Sequence, residues 1–259
     1  MMGRKSQILT KWLGVALGAI LVLAVSGCVT EISGGLPPPA SKDKRVQAQL
    51  DLARGYLEQR EIARAKPALA KALEIDPRHV EAHVLSAVIL HSENEYELAE
   101  HHYKLALRLE PENAQALNNY GSFLYARKRY NEAIVPLKKL TADTSYYGRA
   151  QAFESLGLAQ LQTGNADEAQ VLFTRALELN FRQARSTLEL ADMAYLRGDL
   201  VVAAGRLLEY KTMARQNARS LCLGFKVATA QDNKDLASSN KLALKNLFPS
   251  QAGQCQTIR

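Results

Sequence analysis

YELAEHHYKLALRLEP, residues 96–111, decides the fold. Ala99, Tyr103 and Ala106 fall at i, i+4 and i+7, one face of a helix, and Pro111 marks its end. The same marks return 34 residues away: Ala65, Ala99 and Ala133 form one series, and Pro77 and Pro111 another. Upstream of each lies a second helical stretch whose small residue, Ala53, Ala87 or Gly121, keeps the same step. A small side chain at a fixed place lets two helices cross closely. The unit is therefore a helix–turn–helix that buries its apolar face on itself and its neighbours.

A period of 34 is that of the tetratricopeptide repeat. Residues 46–249 read as six such units. Leu52, Ala53, Tyr56, Ala65, Leu69 and Ala72 mark the first, and Ala87, Leu90, Ala99 and Tyr103 the second. Leu117, Tyr120, Gly121, Leu124, Ala133 and Leu137 mark the third. After a two-residue insertion near Tyr146-Tyr147-Gly148, the fourth has Phe153, Gly157, Ala169, Phe173 and Ala176. The fifth has Leu190, Ala191, Ala194, Ala203 and Leu207, and the sixth, degenerate, has Leu223, Gly224, Val227, Ala237 and Leu244. The expected fold is all-α, a right-handed superhelical solenoid with a C-terminal tail over 250–259.

Composition agrees. The 259 residues are 47% hydrophobic and 23% charged, which suits a folded body. Fifteen Gly and eight Pro are too few for a turn-rich β-sandwich, and three Cys exclude a disulfide-dense scaffold.

The N-terminus carries export chemistry. Arg4, Lys5 and Lys11 precede an apolar run from Trp12 to Ala24, of signal-peptide length. The run ends in Val25-Ser26-Gly27-Cys28, which resembles the lipobox of bacterial lipoproteins. A signal peptide over 1–27 and a lipid on Cys28 are expected, the alternative being an uncleaved anchor helix. Val29 after the Cys implies sorting to the outer membrane, with the protein facing the periplasm. Residues 28–45, with Gly34-Gly35 and Pro37-Pro38-Pro39, read as a lipidated tether. Removing the three basic residues of the signal leaves 30 basic against 26 acidic residues, a charge of +4. That is too weak for a nucleic-acid partner. The charge is uneven, however: residues 200–259 hold nine Lys/Arg against Glu209, Asp232 and Asp235. This reads as a solvated face or as a basic end that meets an acidic partner or lipid head groups.

No Gly-rich phosphate loop, G-x-S-x-G elbow or H-E-x-x-H occurs, so no catalytic residue, metal ligand, cofactor or small-molecule substrate is expected. His79 and His83 lack a third ligand in register. Cys222 and Cys255 are either a bridge pinning the tail, on the order of 3–4 kcal/mol, or two free thiols.

Binding is expected on the concave face. Positions near 2, 5, 9 and 12 of each first helix line it. By register these include Leu50 and Leu57; Val84 and Val88; Asn118, Ser122 and Tyr125; Glu154, Leu158 and Leu161; and Leu188 and Tyr195. Arg54, His91 and Asp192 share the face. An apolar floor suits an extended or helical segment of another protein. Leu158 is expected to serve this floor and not the packing, so that Leu158→Glu would leave melting near normal.

Several strings are more specific than repeat consensus: Asn118-Asn119-Tyr120-Gly121-Ser122-Phe123-Leu124, Ser155-Leu156-Gly157-Leu158, Ser220-Leu221-Cys222-Leu223-Gly224 and Leu247-Phe248-Pro249-Ser250. With the lipobox and six repeats, they make the chain resemble the PilF/PilW family of type IV pilus lipoproteins, or pilotins. Cys222 stands where that family usually has Trp. The resemblance implies an outer-membrane lipoprotein scaffold that helps the pilus secretin subunit localise and oligomerise, and so supports pilus biogenesis and twitching motility. An adaptor for barrel assembly or for peptidoglycan hydrolases is the alternative.

Overall fold

The structure, a computed structural model, describes residues 41–253 and Cys255. The expected signal peptide, Cys28 and the tether up to residue 40 lie outside the described residues. Residues 41–259 form one compact unit, with apolar cores running from Val46 to Leu244, so the array carries what it needs to fold by itself.

Among the described residues, twelve helices follow one another in pairs. They are α1 (Lys42–Glu58) and α2 (Ile62–Ile75), α3 (Val80–Ser92) and α4 (Tyr96–Leu109), α5 (Ala114–Ala126) and α6 (Tyr130–Ala142). Then come α7 (Arg149–Gln162) and α8 (Ala166–Leu179), α9 (Ala184–Leu196) and α10 (Leu200–Met213), α11 (Ala218–Ala230) and α12 (Lys234–Leu247). A last turn, α13 (Pro249–Ala252), closes the chain. Two boundaries differ from expectation. Helix α1 begins inside the expected tether, because the Ser41 side chain caps the Lys44 N–H and Asp43 favours the first turn. Helix α13 begins the expected tail.

Each pair turns on a left-handed residue at the same place: Arg60, Asn94, Lys128, Gly164, Gly198 and Asp232, with φ from 55° to 86°. The steps between them are 34, except for the 36 that spans the insertion. The turn, invisible to apolar periodicity, thus repeats as strictly as the core. Four of the six are not Gly and each accepts a conformation costing of order 1 kcal/mol.

Within a pair, position 8 of the first helix meets position 24 of the second. A Cβ on Gly121 would lie 2.7 Å from Leu137, and one on Gly157 would lie 2.7 Å from Phe173. Leu69, Tyr103, Leu137, Phe173 and Leu207 take position 24 in repeats one to five, all buried. The Asn-Asn-Tyr-Gly string acquires a reason here. Tyr120 donates to Glu100 at 3.0 Å and packs 5.7 Å from the Tyr103 ring, while Gly121 makes room for Leu137.

Repeat six departs from this plan. Its turn residue Asp232 is 34 after Gly198, which sets Phe225 at position 8 and Lys241 at position 24. The large residue sits on the wrong helix. The pair therefore closes through Gly224 and the buried Asn240 instead, and Lys241 Nζ lies 6.0 Å from the Phe225 ring centroid.

Candidate functional site

The first helices of successive repeats pack side by side, α3 with α5, α5 with α7 and α9 with α11. This decides what the concave face exposes. Position 5 points into the seam between them. Leu50 and Val84 are fully buried there, and Leu188 is buried too, so these three belong to the packing and not to an open floor. Leu158 is a further correction: it is 6% exposed and packs in a cluster with Ala169, Phe173, Leu190 and Met193.

Glu154 is buried for a different reason. Its carboxylate accepts from the Ser186 N–H at 2.9 Å and from the Ser186 hydroxyl at 2.8 Å. Ser186 lies in the first turn of α9, whose own N-cap Gln183 makes no side-chain cap. A carboxylate from repeat four thus caps a helix of repeat five, where the helix dipole favours negative charge. Its role is structural.

The remaining residues of the face stay open, Asn118 being the position-5 residue that is not sealed in the seam. Leu57, Asn118, Tyr125, Leu161 and Tyr195 are half-buried, and Val88 and Ser122 are exposed. Five residues at position 12, Leu57, His91, Tyr125, Leu161 and Tyr195, recur at steps of 34, 34, 36 and 34 and form one row from repeat one to repeat five. Aromatic contacts hold its middle: the His91 ring meets Phe123 edge-on at 5.1 Å, and Tyr125 meets Tyr130 at 5.2 Å. Burial raises the Tyr125 phenol pKa, so the ring enters the groove neutral. A row of rigid rings and Leu side chains, half desolvated beforehand, is suited to a segment of another protein.

Charge divides the face. In repeats five and six the buried Glu189 receives Arg219 through both guanidinium nitrogens, and Asp192 accepts from the same Arg at 3.1 Å. Burial disfavours the Arg219 cation, and the two carboxylates outweigh it, so its pKa is raised. Sequence reading missed Glu189 and Arg219, because their spacing of 30 is not a repeat step.

Cys222 and Cys255 are joined by a disulfide with Cα atoms 5.4 Å apart, and α13 lies over Leu221, Cys222 and Leu244. Among the described residues, no group of three His, Cys, Asp or Glu is placed to hold a metal ion. Nor is any described helix long and apolar enough to cross a membrane.

Comparison with known proteins gives this array its class. The tetratricopeptide-repeat family profile matches residues 50–108, 92–148 and 154–218. The type IV pilus assembly protein PilF of Pseudomonas aeruginosa strain PAO1 is 40% identical over 237 residues, covering 90% of this chain and 93% of that protein. A solved structure of Pseudomonas aeruginosa PilF superposes with a TM-score of 0.78 at 39% identity, over 84% of this chain and 99% of that one. The crystal structure of PilW, described as a widely conserved type IV pilus biogenesis factor, superposes with a TM-score of 0.70 at 27% identity, over 79% and 94%.

The chain is a tetratricopeptide-repeat protein, and it belongs to the PilF/PilW family of type IV pilus proteins. It is thereby placed with the envelope-associated pilus machinery and with scaffolds that act by binding other proteins.

Proposed function

We propose that this protein is an outer-membrane lipoprotein scaffold for the secretin of the type IV pilus. A signal peptide over 1–27 is removed, Cys28 receives the lipid, residues 28–41 hold the array off the inner leaflet, and the six repeats to residue 249 carry the binding face. The concave row at position 12 takes a segment of the secretin subunit. Tethering raises the local concentration of bound subunits, which favours their assembly into the multimer. Pilus biogenesis and twitching motility depend on that step. The observation that carries the reading is the 40% identity, across nearly the whole chain, to a type IV pilus assembly protein.

Two measurements test it. Labelled palmitate should enter the wild-type protein and not Cys28→Ala, which should accumulate as precursor. Outer membranes from a deletion strain should lack heat-resistant secretin multimers, and the wild-type gene should restore them. Normal multimers in the deletion strain would end the secretin reading.

A further inference from the structure

A solenoid end is where a next repeat would stack. In repeats one to five, positions 17, 24 and 28 of the second helix are mostly apolar and pack towards the following repeat, with Lys211 at position 28 of repeat five the charged exception. Position 17 supplies Ile62, Tyr96 and Leu200, position 28 supplies Leu73, Leu107 and Leu177, and position 24 supplies the buried series that includes Tyr103 and Phe173. In repeat six the same three positions are Lys234, Lys241 and Lys245. They stand at i, i+7 and i+11 on α12, one ridge of the helix. Position 9 of α11 adds Lys226, at a place that is polar or charged in repeats one, three and five (Arg54, Ser122 and Asp192) and apolar in repeats two and four (Val88 and Leu158).

None of these four lysines has an ion-pair partner among the described residues. The acids near them, Asp232 in the turn and Asp235 on α12, pair with none of them. The acid-rich repeat two behaves differently: Glu81, Glu93, Glu100 and Glu112 are each bonded to a cation from elsewhere in the array, Arg54, Lys66, Arg129 and Lys139. A terminal repeat needs a polar outer face to stay soluble. Solubility does not require that face to be of one sign.

We propose that this end of the array docks on an anionic phospholipid surface. Four features favour a lipid surface over an acidic protein. The cations are lysines, point charges on long stems, with no guanidinium fork for a fixed carboxylate. Leu242, 59% exposed, neighbours Lys245 at i, i+3 on α12. The disulfide and α13 seal the apolar remainder of the end, over Leu221 and Leu244. Finally, the cavity between repeats five and six, which Gly224, Val227, Leu236 and Asn240 help to line, includes none of the four lysines. Basic side chains with an exposed apolar residue among them suit a headgroup layer. The proposal rests on the lipoprotein reading, which puts the array beside a membrane. A second contact would stop it swinging on its tether.

The test uses the array itself, residues 41–259 with the disulfide formed, mixed with vesicles of phosphatidylcholine alone or with added phosphatidylglycerol and sedimented. The array should sediment with the anionic vesicles at low salt, stay in solution with zwitterionic ones, and be released by high salt. Lys241→Gln with Lys245→Gln should weaken binding roughly five-fold per lysine removed. Lys138→Gln, on α6, should change nothing. All variants should keep wild-type helicity, since these side chains are exposed. Absence of sedimentation at low salt, equal sedimentation with both vesicles, or indifference to the double substitution would each overturn the proposal. So would retention on immobilised poly-glutamate without vesicle binding, which points to an acidic protein. The array lacks the lipid, so failure here leaves the lipoprotein reading standing, and an unlabelled Cys28 would leave the end face standing.

Discussion

Repeat four and repeat six have helices of nearly equal length and a left-handed turn at the same place, and they close in opposite ways. In repeat four a Gly on the first helix receives a Phe from the second, and the same Phe173 supports Leu158 and the next repeat. In repeat six the Phe is on the first helix, the facing position is Lys241, and the contact slips by one residue to Gly224 and Asn240. An interior repeat answers to two neighbours, so its large and small residues are fixed. A terminal repeat answers to one, and its free flank takes lysines and a disulfide-held tail. Consensus in this chain therefore records who the neighbours are.

The sharpest way to break that comparison is to put the same side chain at position 8 of both repeats. Gly157→Arg drives a guanidinium stem into Phe173 and should cost more than about 4 kcal/mol, abolishing cooperative melting. Phe225→Arg, at the half-buried equivalent in repeat six, should cost only about 1 kcal/mol. Equal losses in circular-dichroism melts would show that the terminal repeat is packed like an interior one.

Next in size is Leu158→Glu. The side chain is buried in an apolar cluster with Phe173, Leu190 and Met193. A carboxylate there should cost roughly 3–5 kcal/mol in urea unfolding. The effect is the reverse of the near-normal melting that register alone suggests.

Removing the bridge comes third. Cys222→Ser should lower stability by roughly 2–4 kcal/mol, and hydrogen exchange should rise in α13 and the end of α12 while repeats two to four keep their protection.

The smallest effect is acid sensitivity in repeat two. Buried His83 donates through Nε2 to the Pro77 carbonyl at 3.0 Å, so its Nδ1 accepts from His102 Nδ1–H at 2.9 Å. Burial, then the charges of His83 and His101, lower the His102 pKa from 6.5 to about 4. The unfolded chain therefore binds the extra proton between those values. Stability is complete above pH ~6.5 and falls as pH drops towards 4. Glu100, held at about 2 chiefly by its hydrogen bond from Arg129, keeps its charge in the folded protein across that window, and its contribution to stability begins to fall only as pH drops below its unfolded value of 4.5. The melting temperature should drop by several degrees between pH 7 and pH 4.5, and His102→Phe should flatten the drop.

The repeat boundaries and the close approaches at Gly121 and Gly157 were legible in the sequence, because steric need leaves a small residue at a constant step. The floor of the groove was only partly legible. Periodicity assigns a residue to a face, and positions 5 and 12 share the concave face. Whether a residue on it is open depends on how deeply adjacent first helices nest, a matter of packing between repeats. That is why Leu50, Val84 and Leu188 are buried while Leu57 and Tyr195 remain partly open. Glu154 and Glu189 were illegible as packing residues for a related reason: each finds its partner, Ser186 or Arg219, on a different repeat and at a spacing no local pattern prescribes.

The account's central claim is that the half-open row at position 12, and not the buried seam beside it, receives the partner. Leu161→Glu addresses it most directly. Leu161 is three residues from Leu158 on the same helix and half-buried, so a carboxylate there can reach water. The measurement is the yield of heat-resistant secretin multimers in cells carrying Leu161→Glu, paired with a melt of the purified variant. The predicted result is wild-type melting within about 1 kcal/mol with the multimers lost. Wild-type melting with normal multimers would contradict the claim.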